Sequence, residues 1–188
     1  MILCLKCKKN VKIIDQIEDV IIFSENITYN QNKESIFSKG KTNSIIQSKY
    51  NFKSSDVNYL RNKMELSSNN KTEIKDDNGS FYNLSKFNYQ INKKKLKGED
   101  IVVTTNYNLP KSDKYYFKNG IFDFKNKEFF AKDTKIVLHS NLFAEDRKNN
   151  PRISGVSSLS NNGVTTIKKG VFTSCNNDDD SCPSWAIS

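Results

Sequence analysis

Ile27-Thr28-Tyr29-Asn30-Gln31-Asn32-Lys33 is an apolar residue, a polar one, an aromatic and a polar turn, and the chain returns to this pattern three more times. The returns are Val57-Asn58-Tyr59, Phe87-Asn88-Tyr89 and Phe122-Asp123-Phe124, each followed closely by an Asn and a Lys. Tyr29 to Tyr59 and Tyr59 to Tyr89 are 30 residues each, Tyr89 to Phe124 is 35, and Thr42 and Thr72 keep the 30-residue step. A repeat of this period belongs to solenoids and arrays. Within each unit apolar residues alternate, and a second run such as Ser35-Ile36-Phe37 or Met64-Glu65-Leu66 follows the turn. One unit therefore reads as two antiparallel strands, and the chain as an all-β protein built from repeated two-strand units.

Outward from the first repeat, residues 10 to 29 read as two strands, Val11-Lys12-Ile13 and Val20 through Tyr29, split by an acidic turn at Asp15 to Asp19. Gly40, Asn69-Asn70, Asn78-Gly79, Lys97-Gly98, Asn119-Gly120 and Asn162-Gly163 punctuate the chain at the spacing of turns, with the strongest hairpin signals at Asn78-Gly79 and Asn119-Gly120. Phe81, Phe87 and Tyr89 are expected on one face of a single strand, and Phe122 and Phe124 on one face of another. Ile101-Val102-Val103 is apolar on both faces and is expected to be covered on both sides. From Asn141 to Gly170 the pattern weakens, and a long connection with one or two short strands is expected there. No helical periodicity is visible. Three segments result: an uncertain 1–9, a β-domain over 10–175, and a Cys-containing turn with a strand entry over 176–188.

The 188 residues carry 30 Lys plus Arg against 21 Asp plus Glu, a net charge of +9, and hydrophobic content is 36%. That balance favours anionic partners, whether nucleic acid, a membrane surface or a phosphorylated glycolipid. No run approaches the ~18 apolar residues of a helical membrane span. Met1-Ile2-Leu3-Cys4-Leu5 is interrupted by Lys6, shorter than the ~7 residues of a minimal signal-peptide core.

Cys4-Leu5-Lys6-Cys7 has the C-x-x-C spacing of zinc ribbons, but no second close pair completes four ligands, since Cys175 and Cys182 are too far apart. Cys175 and Cys182 are read instead as disulfide formers, with their connectivity open. Asp178-Asp179-Asp180 lacks the alternating spacing of a calcium loop. His139, the single histidine, alternates with Leu138 and is expected to point outward from a strand. No nucleophile triad and no phosphate-cradling glycine loop is present, so the chain is not read as an enzyme and no cofactor or metal is expected. The aromatic stripe has two readings. Ile27, Tyr29, Phe37, Val57, Tyr59, Phe87, Tyr89, Phe122 and Phe124 either line an open apolar groove for hydrocarbon chains or fill an ordinary core. Both need the same inward face.

These repeats, with Asn150-Pro151-Arg152-Ile153-Ser154-Gly155-Val156-Ser157-Ser158 and the ending Phe172-Thr173-Ser174-Cys175 with Cys182-Pro183-Ser184-Trp185, resemble the N-terminal OstA-like domain of the LPS-assembly outer-membrane protein LptD over residues 10 to 188. The resemblance implies an open antiparallel β-jellyroll (an OstA/LptA-like folded sheet) at the periplasmic face of the outer membrane, with lipopolysaccharide acyl chains inside and sugar outside. It implies a bridge protein of the LptA type joined by edge-strand addition, and a lipoprotein of the LptE type joined through a C-terminal barrel. Cys175 matches the family cysteine linked to that barrel, and Cys182 a second cysteine of some members. The chain carries neither a recognisable signal sequence nor the barrel, so it is expected to be a piece of a longer protein. The alternative is a basic all-β module that binds nucleic acid or bears a zinc ribbon. Scattered lysines, as in Lys93-Lys94-Lys95 and Lys168-Lys169, favour the lipid conduit, and no nucleic acid is expected.

Overall fold

The computed structural model describes residues 4–109, 111–139, 151–174 and 185–187. The protein is all-β: one 15-stranded antiparallel sheet folded into an open β-jellyroll-like shape. The strands are β1 (Cys4–Asp15), β2 (Val20–Asn30), β3 (Ser35–Ile46), β4 (Tyr50–Leu60), β5 (Glu65–Ser68), β6 (Thr72–Lys75), β7 (Phe81–Leu84) and β8 (Lys86–Gln90). They continue as β9 (Lys95–Thr104), β10 (Lys114–Asp123), β11 (Glu128–Val137), β12 (Arg152–Asn161), β13 (Val164–Lys168), β14 (Gly170–Thr173) and β15 (Trp185–Ile187). The topology is a plain meander. β5 with β6, β7 with β8, and β13 with β14 are each one long strand interrupted in the middle, because β4 pairs with both β5 and β6, and β12 with both β13 and β14.

Those interruptions continue a line that crosses the other strands as bulges. Register shifts fall between Lys8 and Val11, Ser24 and Asn26, and Ser38 and Lys41. Positive φ angles recur on the same line at Lys9, Asn10, Gly40, Asp56, Asp100 and Asp133. One extra residue at a bulge bends the strand and inverts the side-chain alternation beyond it, whereas β3 takes two extra residues and keeps its inward parity. In β4 the buried set accordingly changes from Tyr50 and Phe52 to Val57 and Tyr59, and in β9 from Leu96 to Ile101 and Val103. The sheet thus creases into two leaves that turn the same face inward. Leaf A holds the strand halves next to the turns at 15–20, 46–50, 75–81 and 104–114, and leaf B those next to 30–35, 60–65, 90–95 and 123–128.

Small residues line the inside of the crease, where the leaves come closest. Thr42 Oγ1 donates to the Gly40 carbonyl at 3.0 Å and lies 2.8 Å from Ser38 Oγ, and Thr72 Oγ1 donates to the Asn70 carbonyl at 2.9 Å and lies 2.8 Å from Ser54 Oγ. These hydroxyls take up carbonyls near the bulges that the ladder leaves unpaired. The 30-residue recurrence of Thr42 and Thr72 is this crease position. Further along, Gly98 and Gly120 are register partners, and a Cβ on Gly120 would lie 2.8 Å from Phe122 Cε2 and 3.1 Å from Ile101 Cδ1.

Several expectations change here. Gly40, Lys97-Gly98 and Asn119-Gly120 lie inside strands at the crease rather than in hairpins, whereas Asn78-Gly79 is a hairpin turn. Phe81 does not share a face with Phe87 and Tyr89, since the break at Ser85 inverts parity and Tyr82 and Leu84 are buried instead. Ile101 and Val103 are buried with Val102 only half-buried. Residues 4–9, set apart from the sequence, pair with β2 from Cys4 onward. Part of the expected connection is the ten-residue β12, whose inward Ser158 and Ser160 hid the alternation.

Candidate functional site

The candidate site is the apolar interior between the leaves. The hairpin turns of leaf B are stacked copies of one another: Glu34, Met64, Lys94 and Lys127 each take the left-handed conformation at the fourth turn position. The Arg61 N–H donates to the Glu34 carbonyl (3.0 Å), Ile91 N–H to Met64 (2.8 Å) and Phe124 N–H to Lys94 (2.9 Å), so each turn rests on the preceding one. This stacking places Phe122, not Phe124, in the position of Tyr59 and Tyr89. Phe124 occupies the turn position of Arg61 and Ile91. The fourth repeat read from sequence was two residues out of register because Phe-Asp-Phe offers two aromatics of the same parity.

Of the nine stripe residues, Ile27, Val57, Tyr59, Phe87, Tyr89 and Phe122 are buried, and Tyr29 and Phe124 are partly buried against the same cluster. Phe37 is on the other face, 37% exposed, because its neighbours Ile36 and Ser38 take the inward positions of β3. The buried rings meet across the leaves. Phe52 lies 5.3 Å from Phe87 and 5.2 Å from Tyr89, Tyr50 stacks on Phe124 at 5.1 Å, and Tyr82 and Phe117 meet Phe122 at 5.9 and 5.8 Å. Buried side chains of this kind are worth about 1.5–3 kcal/mol each. The stripe is therefore continuous and, at its middle, filled. Sequence reading missed the leaf A half of this lining, Tyr50, Phe52, Tyr82 and Phe117, which shares inward parity only after the bulges are counted.

Opposite the crease the leaf edges meet along a seam. At one end the Tyr59 hydroxyl and Arg61 Nε, both from leaf B, donate to Asp15 Oδ2 of leaf A at 2.9 Å each, and the Ile17 N–H donates to Asp15 Oδ1 at 3.1 Å. Burial pushes the Asp15 carboxyl up, but the hydrogen bonds from Tyr59 and the backbone, with the Arg61 charge, outweigh it and hold the group below its ordinary range. Burial, then the Asp15 carboxylate, push the Tyr59 hydroxyl up. The middle of the seam is the Tyr50–Phe124 stack. Tyr89, equivalent to Tyr59, has no such acceptor: its hydroxyl is buried among Tyr50, Phe52 and Phe124 with no hydrogen-bond partner among the described residues.

His139 lies just beyond β11 rather than on a strand, with Nδ1 2.9 Å from Asp113 Oδ1. Cys4 and Cys7 lie along β1, where residues three apart are separated by about 10 Å, unlike the turn in which a C-x-x-C pair grips one ion. Cys7 is exposed and unpaired. Cys175 and Cys182 lie outside the described residues, and among those described no group of three or more His, Cys, Asp and Glu converges. No described helix is long and apolar enough to cross a membrane. No family model and no curated protein matches this chain.

Proposed function

We propose that this chain is a lipid-carrying β-jellyroll of the lipopolysaccharide-assembly kind, working without catalysis. In this reading acyl chains of lipopolysaccharide travel between the leaves while the sugar stays outside, at the periplasmic face of the outer membrane. One observation carries it: a single creased sheet keeps one apolar interior through all its central strands, and at the side opposite the crease the described leaf contacts are noncovalent. Transfer between similar apolar surroundings costs little once hydrocarbon has left water, so loading needs only separation of the leaves at the seam. The edge of β1, which among the described residues is paired on one side alone, suits strand addition by a neighbouring bridge protein of the LptA type. In this reading, contact with an LptE-type lipoprotein would run through a C-terminal barrel.

The filled middle of the stripe favours a second reading, in which the aromatics only hold the leaves together and the module is a spacer. Photo-cross-linkers placed at the partly buried, inward Tyr29 and Phe129, and at their outward neighbours Thr28 and Glu128, separate the two. Capture of added lipopolysaccharide from the inward pair alone supports the conduit. Equal capture from both faces, or none from the inward pair, makes the stripe a core and nothing more.

A further inference from the structure

The outer face of leaf B carries a row of apolar side chains that the interior does not use. Ile121 and Phe130 are register partners, as are Phe130 and Leu159, so the three sit side by side on β10, β11 and β12. They are 41%, 45% and 50% exposed. With neighbouring strands about 4.8 Å apart the row runs roughly 10 Å; on β13 the register partner of Leu159 is Thr166, and the exposed Val164 lies two residues from Thr166 on the same face. Scattered exposed apolar residues need no explanation, whereas Ile121, Phe130 and Leu159 form one contiguous patch.

The charges around the row decide the partner. Lys97 is the register partner of Ile121, Lys132 lies two residues along β11 from Phe130, and Lys168 is the β13 partner of Ser157, which itself pairs with Lys132. Among the described residues Lys97, Lys132 and Lys168 form no ion pair, whereas of the nearby acids Glu99 and Asp123 are taken up by Lys86 (3.4 Å) and Lys95 (3.6 Å), and Glu128, two residues from Phe130 on the same face, forms none. Between Lys86, Lys97 and Lys132 a depression of about 380 Å³ opens beside Ile121 and Phe130. Lysine is depleted where protein meets protein. A second copy of the chain would also bring the same three cations against themselves. An anionic lipid surface answers both features: apolar side chains enter the acyl boundary while lysine stems lie along it and their ammonium groups reach phosphates.

We propose that the outer face of leaf B docks on an anionic lipid bilayer through Ile121, Phe130 and Leu159, with Lys97, Lys132 and Lys168 on the headgroups. This docking does not depend on carriage of lipid between the leaves. The test is sedimentation of the chain with vesicles of phosphatidylcholine alone and of phosphatidylcholine and phosphatidylglycerol in equal amounts. Binding is expected to the mixed vesicles only and to weaken with salt. Each of K97Q, K132Q and K168Q should lower the partition about fivefold, and the exposed double substitution F130S/L159S should abolish it while leaving the circular dichroism unchanged. Equal binding to both vesicle types, binding indifferent to the substitutions, or no vesicle binding with self-association that F130S/L159S removes would each overturn the proposal, the last in favour of an interface between copies.

Discussion

Tyr59 and Tyr89 occupy the same place in successive repeats, yet their hydroxyls have opposite fates, and removing each should move stability in opposite directions. Tyr59→Phe deletes a 2.9 Å bond to a buried carboxylate, Asp15, whose Oδ2 then keeps only the half-exposed Arg61, while the Ile17 and Glu18 N–H groups stay on Oδ1. A hydrogen bond to a charged group contributes about 1.5–3 kcal/mol, and the exposed arginine recovers little of it. Tyr89→Phe deletes a buried hydroxyl that bonds no described residue, and relief of such a group should stabilise by about 1 kcal/mol. Urea unfolding followed by circular dichroism reads both, with an unchanged m value showing that the unfolded state is not the cause. The pH dependence supplies a second reading. Because the folded Asp15 lies below its ordinary value of 3.8, the latch contributes fully above that pH and is lost as pH falls through the folded value. Asp15→Asn should thus be destabilised at neutral pH and show a shallower acid loss than the unaltered chain. Tyr59→Phe at full stability, or Tyr89→Phe destabilised by as much as Tyr59→Phe, would refute this account of the seam.

Phe87→Ala should cost about 3–5 kcal/mol as a cavity between the leaves, whereas Phe37→Ser on the outer face should stay within about 0.5 kcal/mol; the same urea titration compares them. Gly155→Ala should lose about 1–3 kcal/mol by overpacking, since its Cβ would meet Ile167 Cγ2 and lie 2.9 Å from the Lys168 carbonyl. Thr72→Val, which leaves Ser54 Oγ and the Asn70 carbonyl without their partner at the crease, should cost about 1–3 kcal/mol and speed amide exchange in β6 more than in β5.

The repeated aromatic stretches made the meander and the leaf B hairpins legible, because strand period and turn chemistry act locally and Asn, Asp and Lys mark the same turn each time. The crease was not legible. A bulge needs only one residue able to adopt positive φ, and Asp56, Asp100 and Asp133 do so with no glycine to announce them, while the glycines that are present had the signature of hairpins. Where parity inverts mid-strand, as in β4 and β9, an unbroken alternation assigns half of the strand to the wrong face; the break at Ser85 misplaced Phe81 in the same way. Phe37 was misplaced by size alone: the larger ring was preferred to Ile36, the residue whose parity with Ser38 and Thr42 carries it inward. Pairings such as Asp15 with Tyr59 and Arg61 join residues on different leaves and depend on the folded sheet, so no local spacing could reveal them.

Opening of the seam is what carriage of lipid between the leaves requires most directly. Spin labels at Lys49 and Lys125, exposed residues next to the stacked Tyr50 and Phe124 on opposite leaves, report the separation there by pulsed electron resonance. Addition of lipopolysaccharide should replace the short distance by a longer, broader distribution, and Asp15→Asn should shift the unloaded chain the same way. An unchanged short distance in a sample where lipopolysaccharide is bound would place the lipid outside the leaves and contradict the conduit.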